Sequence, residues 1–424
     1  MIETLKNAWK LPDLRKRLLF TAFILLIFRF GSFIPVPFID TGVLAAKMSE
    51  SSDTIFGVFN MLSGGAMSQA SVFAMSVSPY INASIIIQLL TVAIPALERL
   101  AREGLEGRKK LTQISRYTTV AIGLIQGYGF YTIIRSWGAI PSAVNNWFSA
   151  LVIVLSFTAG CAFIMWLGEQ ITDKGVGNGI SIILFVGIIS GIPGGVGTLL
   201  ANNTNVVLLA GIALVALAAV AFVVFMNESE RRIPVQYAKR VVGRKMYGGQ
   251  SSHIPLKVNM AGVMPIIFAS SICSLPSTII MFFPNLDVNS FWGRVLMTLQ
   301  PSSIWYGIIY FVLIIFFNYF YIAIQYNPVE MANNMKKNGG FIPGIRPGKP
   351  TADFITRTMS KITLMGSFFL GVIAVMPIIF NTGLHVQGLY FGGTSLLIVV
   401  GVALETVKQI EAQMLMRNYR GFLE

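Results

Sequence analysis

The chain has 424 residues, 54% of them hydrophobic and only 12% charged, about half the charged fraction of an ordinary soluble domain. Its formal charge is +14, and it holds two cysteines. These values exclude a water-soluble globule and a disulfide scaffold, and the long aliphatic runs point to a helical protein that crosses a bilayer many times.

An apolar stretch of about 20 residues is enough to cross a hydrocarbon core of about 30 Å. Apolar windows read against breakers predict ten spans: Leu18–Val36, Val72–Ile94, Ile114–Ile134, Phe148–Leu167, Ile180–Leu200, Val206–Met226, Met260–Phe283, Ile304–Tyr326, Thr358–Phe380 and Leu389–Val407. The first is too long for a signal-peptide core and lacks a small-residue cleavage site, so it reads as a span. With the N-terminus inside, 28 of the 32 Lys and Arg fall on inner segments. Positive-inside bias therefore places both termini in the cytoplasm. Cys161 and Cys273 lie within spans and read as packing residues.

Before the second span, "GVFNMLSGGAMSQ" (57–69) is too short and too polar to cross. The second span then carries "SPYINASII" and the seventh "MPIIFASSI". Aligned on proline they share Pro79/Pro265, Ile81/Ile267, Ala83/Ala269, Ser84/Ser270 and Ile86/Ile272. The seventh span starts five spans after the second, an odd offset, so the copies cross in opposite directions, as in an inverted repeat. The predicted organisation is an N-terminal half (1–200), an outer hinge (201–205), a C-terminal half (206–407) and an inner tail (408–424). Both prolines are expected in mid-helix, where each would remove a hydrogen bond and loosen its span.

No Asp or Glu lies in the middle of a predicted span, which counts against an ion-coupled secondary transporter. His253 and His385 fall in loops on opposite sides, and no paired intramembrane aspartates exist. "GIRPGKP" and "GVGNGIS" lack the residues and spacing of nucleotide loops. An intramembrane enzyme is therefore disfavoured, and no catalytic, cofactor or metal site is predicted. Val77 and Ile81, like Leu184 and Ile188, are four apart and share a helical face. Bare aliphatic faces of this kind suit a dewetted constriction or ordinary packing. Gln88 and Asn259, toward inner ends, are placed to hydrogen-bond across a seam.

Two inner loops stand out. Residues 227–258 include "ERRIPVQYAKRVVGRKMYGGQSSHIPLK", which joins seven cations to a strand-like apolar pattern. Residues 327–357 predict a short helix ended by Gly339-Gly340, then Arg346 on a rigid Pro/Gly turn. Such loops suit docking to ribosomal RNA phosphates or an acidic protein groove, or serve topology alone.

"SPYINASIIIQLL" (78–90), "GNGISI" (177–182), "LKVNMAGVMP" (256–265), "GFIPGIRPG" (340–348) and "GGTSLLIVV" (392–400) occur in this order along the chain. Together they resemble the SecY family, the central subunit of the bacterial Sec protein-conducting channel. The resemblance implies an all-α polytopic protein of the bacterial cytoplasmic membrane. Ten transmembrane helices in two inverted halves of five would surround an hourglass pore with a lateral gate. It further implies passage of unfolded, signal-bearing polypeptides and sideways release of membrane segments into lipid. The partners implied are SecE, SecG, the SecA ATPase, the ribosome, signal peptides and nascent chains, with no cofactor.

On this resemblance the pore ring maps to Val77, Ile81, Leu184, Ile188, Ile267 and Ile398. Val77 and Leu184 stand where the family often has isoleucine. The plug maps to about 55–67, with Ile55, Phe56, Val58, Phe59, Met61, Leu62, Gly64, Gly65 and Met67. The gate's polar cluster maps to Gln88 and Asn259, with Gln126 as a third member. Docking to SecA or the ribosome maps to Arg231, Arg232, Lys239, Arg240, Arg244, Lys245 and Arg346.

Overall fold

The computed structural model describes residues 2–50, 57, 60, 63–202, 206–237, 240–242, 245–247, 251–280, 282, 290–300, 303–384 and 393–420. The helices are α1 (Ile2–Lys10), α2 (Pro12–Gly31), α3 (Thr41–Glu50), α4 (Ser78–Ala93), α5 (Pro95–Arg102), α6 (Leu105–Ser136), α7 (Trp147–Lys174) and α8 (Gly179–Asn202). They continue as α9 (Val206–Glu228), α10 (Met264–Ile280), α11 (Phe291–Thr298), α12 (Ile304–Gln325), α13 (Pro328–Lys337), α14 (Lys349–Leu384) and α15 (Gly393–Arg420). Each of the ten expected spans has a helix. Among the described residues three helical stretches, Trp147–Lys174, Ile304–Lys337 and Lys349–Ile379, are by themselves long and apolar enough to cross a membrane, and the bent pair Ser78–Ala93 and Pro95–Arg102 makes a fourth if it is one span.

α4 departs most from expectation. Residues 72–77 are turns, so the helix begins at Ser78 and not at Val72. Pro79 therefore sits in the first turn of α4, and Pro265 is the second residue of α10. At that position the missing N–H would have had no intrahelical partner, and the fixed φ favours the helix. The two prolines start their helices; they do not break them. The C-terminal end of α4 is broken instead at Pro95, where α5 leaves at 101°.

α4 packs on α6, and α10 on α12. The helices before residue 203 meet those after 205 chiefly through α4 with α10 and α8 with α15. Close approach uses small residues, since helices in lipid associate by packing and not by hydrophobic expulsion. Gly123 and Gly127 of α6 lie against Thr158 and Val154 of α7. A Cβ on Gly160 would come within 1.9 Å of the Val72 carbonyl oxygen. Leu26, Phe30, Leu214, Leu217 and Phe225 are more than two-thirds exposed, which is tolerable only against lipid or a partner.

The chain is mostly, not wholly, helical. β1 (Glu230–Tyr237) lies between β4 (Ser251–Lys257) and β5 (Gly340–Phe341), and β2 (Arg240–Val242) pairs with β3 (Lys245–Tyr247) as an antiparallel ribbon. The β1–β4 register runs from Glu230 opposite Lys257 to Gln236 opposite Ser251. Ile233 and Val235 alternate inward, as a half-buried strand requires. They pack with Leu256, Met335, Ile342 and Ile355. Because Gln236 also pairs with Phe341, the two inner loops form one body.

Candidate pore and docking site

The six aliphatic residues singled out in the sequence converge. Val77, Leu184, Ile188, Ile267 and Ile398 belong to one buried cluster, and Ile81 packs against it half-buried. The Ile81 N–H donates to the Val77 carbonyl at 3.0 Å, so the two share a face on the first turn of α4. α8 supplies Leu184 and Ile188, α10 Ile267 and α15 Ile398. Residues from four helices thus close one apolar knot where the α4–α10 and α8–α15 contacts meet. Sequence reasoning missed its other members, among them Phe28, Ala66, Phe73, Val263 and Val402. They carry no spacing signal of their own.

Ala66 comes from a compact turn over residues 63–70, which shares residues 63–67 with the stretch read as a plug. Gly64, Gly65 and Met67 lie in it; Ile55, Phe56, Val58, Phe59, Met61 and Leu62 lie outside the described residues. Asn60 organises the turn. Its carbonyl accepts from Gly65 N at 2.8 Å, and its Oδ1 accepts from Ser68 N at 2.9 Å. Gly64 and Gly65 have φ of 67° and 84°, the left-handed region that glycine enters without strain. The far end is bonded to the chain after α2: Val36 N donates to Ala70 O at 2.8 Å, and Val72 N to Ile34 O at 2.9 Å.

The polar residues do not pair as expected. Asn259 lies before α10, and its Nδ2 donates 2.8 Å to Asn227 Oδ1 at the end of α9. The bond expected with Gln88 is thus made with Asn227. Asn259 is 8% exposed, and its Oδ1 accepts from none of the described residues. Gln88 is half-buried on α4. Gln126 lines a small cavity with Ser78, Phe130 and Thr278, so it faces the seam between α4, α6 and α10. Tyr128 and Phe282 bridge the same seam with ring centroids 6.4 Å apart.

Beside the sheet a cavity of about 510 Å³ opens between β4, α12 and α15, with Asn178, Ser181, Asn259, Tyr321, Glu405 and Lys408 on its wall. Lys408, on that wall, pairs with Glu228 at 2.7 Å. Burial, and then the neighbouring Lys408 charge, lower the Lys257 pKa below the usual lysine value. Above this cavity stands the sheet. Arg231 and Arg232 are exposed on β1, and Arg232 pairs with Glu230 at 2.7 Å. Arg240 and Lys245 fall on the β2–β3 ribbon, with side chains undescribed; Lys239 and Arg244 lie outside the described residues. Arg346 is exposed on a turn between Gly344 (φ 82°) and Gly348 (φ 105°). Its carbonyl accepts from Thr351 Oγ1 at 2.9 Å, which fixes the turn to the start of α14.

Comparison with known proteins gives this arrangement a family. Residues 71–407 match the SecY family. Over 444 residues, covering all of both chains, the sequence is 47% identical to the protein translocase subunit SecY of Streptomyces scabiei. Two solved structures share the fold. One describes how the plug domain of the SecY protein stabilises the closed state of the translocation channel and maintains a membrane seal (TM-score 0.63, 17% identity, 94% of this chain and 92% of that one). The other is Sec61 in a canine ribosome-channel complex from the endoplasmic reticulum (TM-score 0.61, 15% identity, 94% and 92%). A full-length match at this identity, on a mostly helical frame whose aliphatic side chains meet in one buried cluster, leads to one conclusion: the chain belongs to the SecY family, the protein-conducting channel of the Sec translocase.

Proposed function

We propose that this multi-pass channel passes unfolded, signal-bearing polypeptide through the aliphatic knot and releases membrane segments sideways between α4 and α10. The observation that carries the reading is the meeting of Val77, Ile81, Leu184, Ile188, Ile267 and Ile398 from four helices and both halves. Such a ring excludes water and ions by dewetting, yet deforms around a chain because no polar bond holds it. Ten spans in two inverted halves, with both termini cytoplasmic, put the ring near the midplane and the sheet on the cytoplasmic face. The turn around Gly64, Gly65 and Met67 acts as the outer stopper, and Gln88, Gln126 and Asn259 as polar elements of the gate. Cations of the sheet and Arg346 receive SecA or the ribosome, and SecE and SecG complete the assembly.

The ring, an exposed basic platform and the absence of any Asp or Glu midway along the predicted spans support a partner-driven channel over a solute transporter. Vesicles holding the reconstituted channel, with and without SecA and ATP, test this. Protease-protected uptake of a signal-bearing protein only with both additions is expected. Uptake of a small solute without protein transport would overturn the reading.

A further inference from the structure

Arg29 is a cation on the outer half of α2, where a charge is expensive unless it is neutralised or hydrogen-bonded. Its Nη1 donates to the Gly64 carbonyl at 2.9 Å and to Ser190 Oγ at 3.1 Å. The guanidinium carbon lies 5.0 Å from the centre of the Phe33 ring. Three pieces of chain distant in sequence therefore meet on one side chain: α2, the 63–70 turn, and α8 one short step beyond Ile188.

Gly64 is shaped for this contact. A Cβ there would fall 2.5 Å from Ser190 Oγ, 3.0 Å from the Gly187 carbonyl oxygen and 3.2 Å from Arg29 Nη1. Only a residue without a side chain lets its carbonyl come so close, and the positive φ also selects glycine. The turn is internally knotted through Asn60, Ser63 and Ser68. It is pinned at 70–72 by backbone bonds to 34–36. It can thus swing as one unit about the 70–72 end, and Arg29 grips the opposite side. Ser190 belongs to helix α8 and stays when the turn leaves; the Gly64 carbonyl goes with the turn.

We propose that Arg29 is a latch that holds the 63–70 turn against α8 and thereby sets how strong a signal the channel demands before opening. This rests on reading the turn as a stopper and names the residue that determines its release. A charge-assisted bond is stronger than a neutral one, so its loss favours the open arrangement by about tenfold or more. Arg29 acts by position and touches no part of the moving polypeptide while the turn is seated.

The test uses the full channel with its partner subunits in planar bilayers and vesicles. Arg29→Met should raise resting ion leak, and uptake of a substrate with a defective signal, about tenfold. Uptake with an intact signal should stay within twofold. Arg29→Lys should restore much of the discrimination, and Ser190→Ala should weaken it less than Arg29→Met. Leak and discrimination within twofold of the parent in Arg29→Met would overturn the latch. So would equal changes for intact and defective signals, which mark general damage. Deleting residues 60–69 separates the two readings. If the deletion raises the leak and Arg29→Met does not, the latch alone fails; if the deletion leaves the leak unchanged, the stopper reading fails with it.

Discussion

Replacing Ile267 with asparagine tests the ring where it is most exposed to failure. Ile267 is 6% exposed and sits in the shared cluster with Val77, Leu184 and Ile398. In the closed arrangement Ile267→Asn loses an apolar burial of about 1.5–3 kcal/mol. It also buries an amide with no designed partner, at about 1–3 kcal/mol. When the ring is open and wet, both penalties vanish. The closed state is thus disfavoured by about 3 kcal/mol or more, which is about a hundredfold at 1.36 kcal/mol per decade. Single-channel recording of the reconstituted complex reads this as open probability without substrate. Leu217→Asn on α9, whose parent side chain is 70% exposed, should leave the leak unchanged. An Ile267→Asn leak within twofold of the parent would refute the reasoning.

Arg346→Glu should reduce SecA-driven transport more than tenfold while membrane assembly stays normal, because the exposed turn tip presents its charge without supporting the core; vesicle uptake beside an assembly assay checks this. Asn227→Ala leaves both polar ends of Asn259 unpaired and should destabilise the C-terminal half by about 1–3 kcal/mol, read as a lower denaturant midpoint in detergent. Gly160→Val drives a side chain into the Val72 carbonyl and should cost about 1–3 kcal/mol, whereas Gly194→Ala, with nothing within 4 Å, should be neutral in the same denaturant assay.

Period and charge made much of this molecule readable. Four-residue spacing on two segments marked Val77/Ile81 and Leu184/Ile188 as paired faces, and an offset copy marked Ile267. What joined them in one cluster is tertiary contact among four helices, which no local pattern records. Pro79 and Pro265 show how a right motif can be given a wrong mechanism. Hydropathy runs smoothly from Val72 through Ile94, so it hides the turns at 72–77 that make Pro79 a helix starter. Asn259 was assigned to the wrong neighbour because Asn227 lies 32 residues away, across the whole basic loop. The strand pattern at 230–257 was legible, but the link from Gln236 to Phe341 was not, since β5 is two residues long. Arg29 lies within the first predicted span, but its partners, the Gly64 carbonyl and Ser190 Oγ, carry no sequence signature.

The central claim is that a polypeptide crosses through the aliphatic ring. Single cysteines at Val77, Ile81, Leu184, Ile188, Ile267 and Ile398, and at the outward-facing Leu217, can be crosslinked to a chain arrested in mid-transport with a cysteine stepped along its length. The account predicts adducts from all six ring positions at one shared depth of the arrested chain, and none from Leu217. Adducts from Leu217 with a silent ring would contradict it.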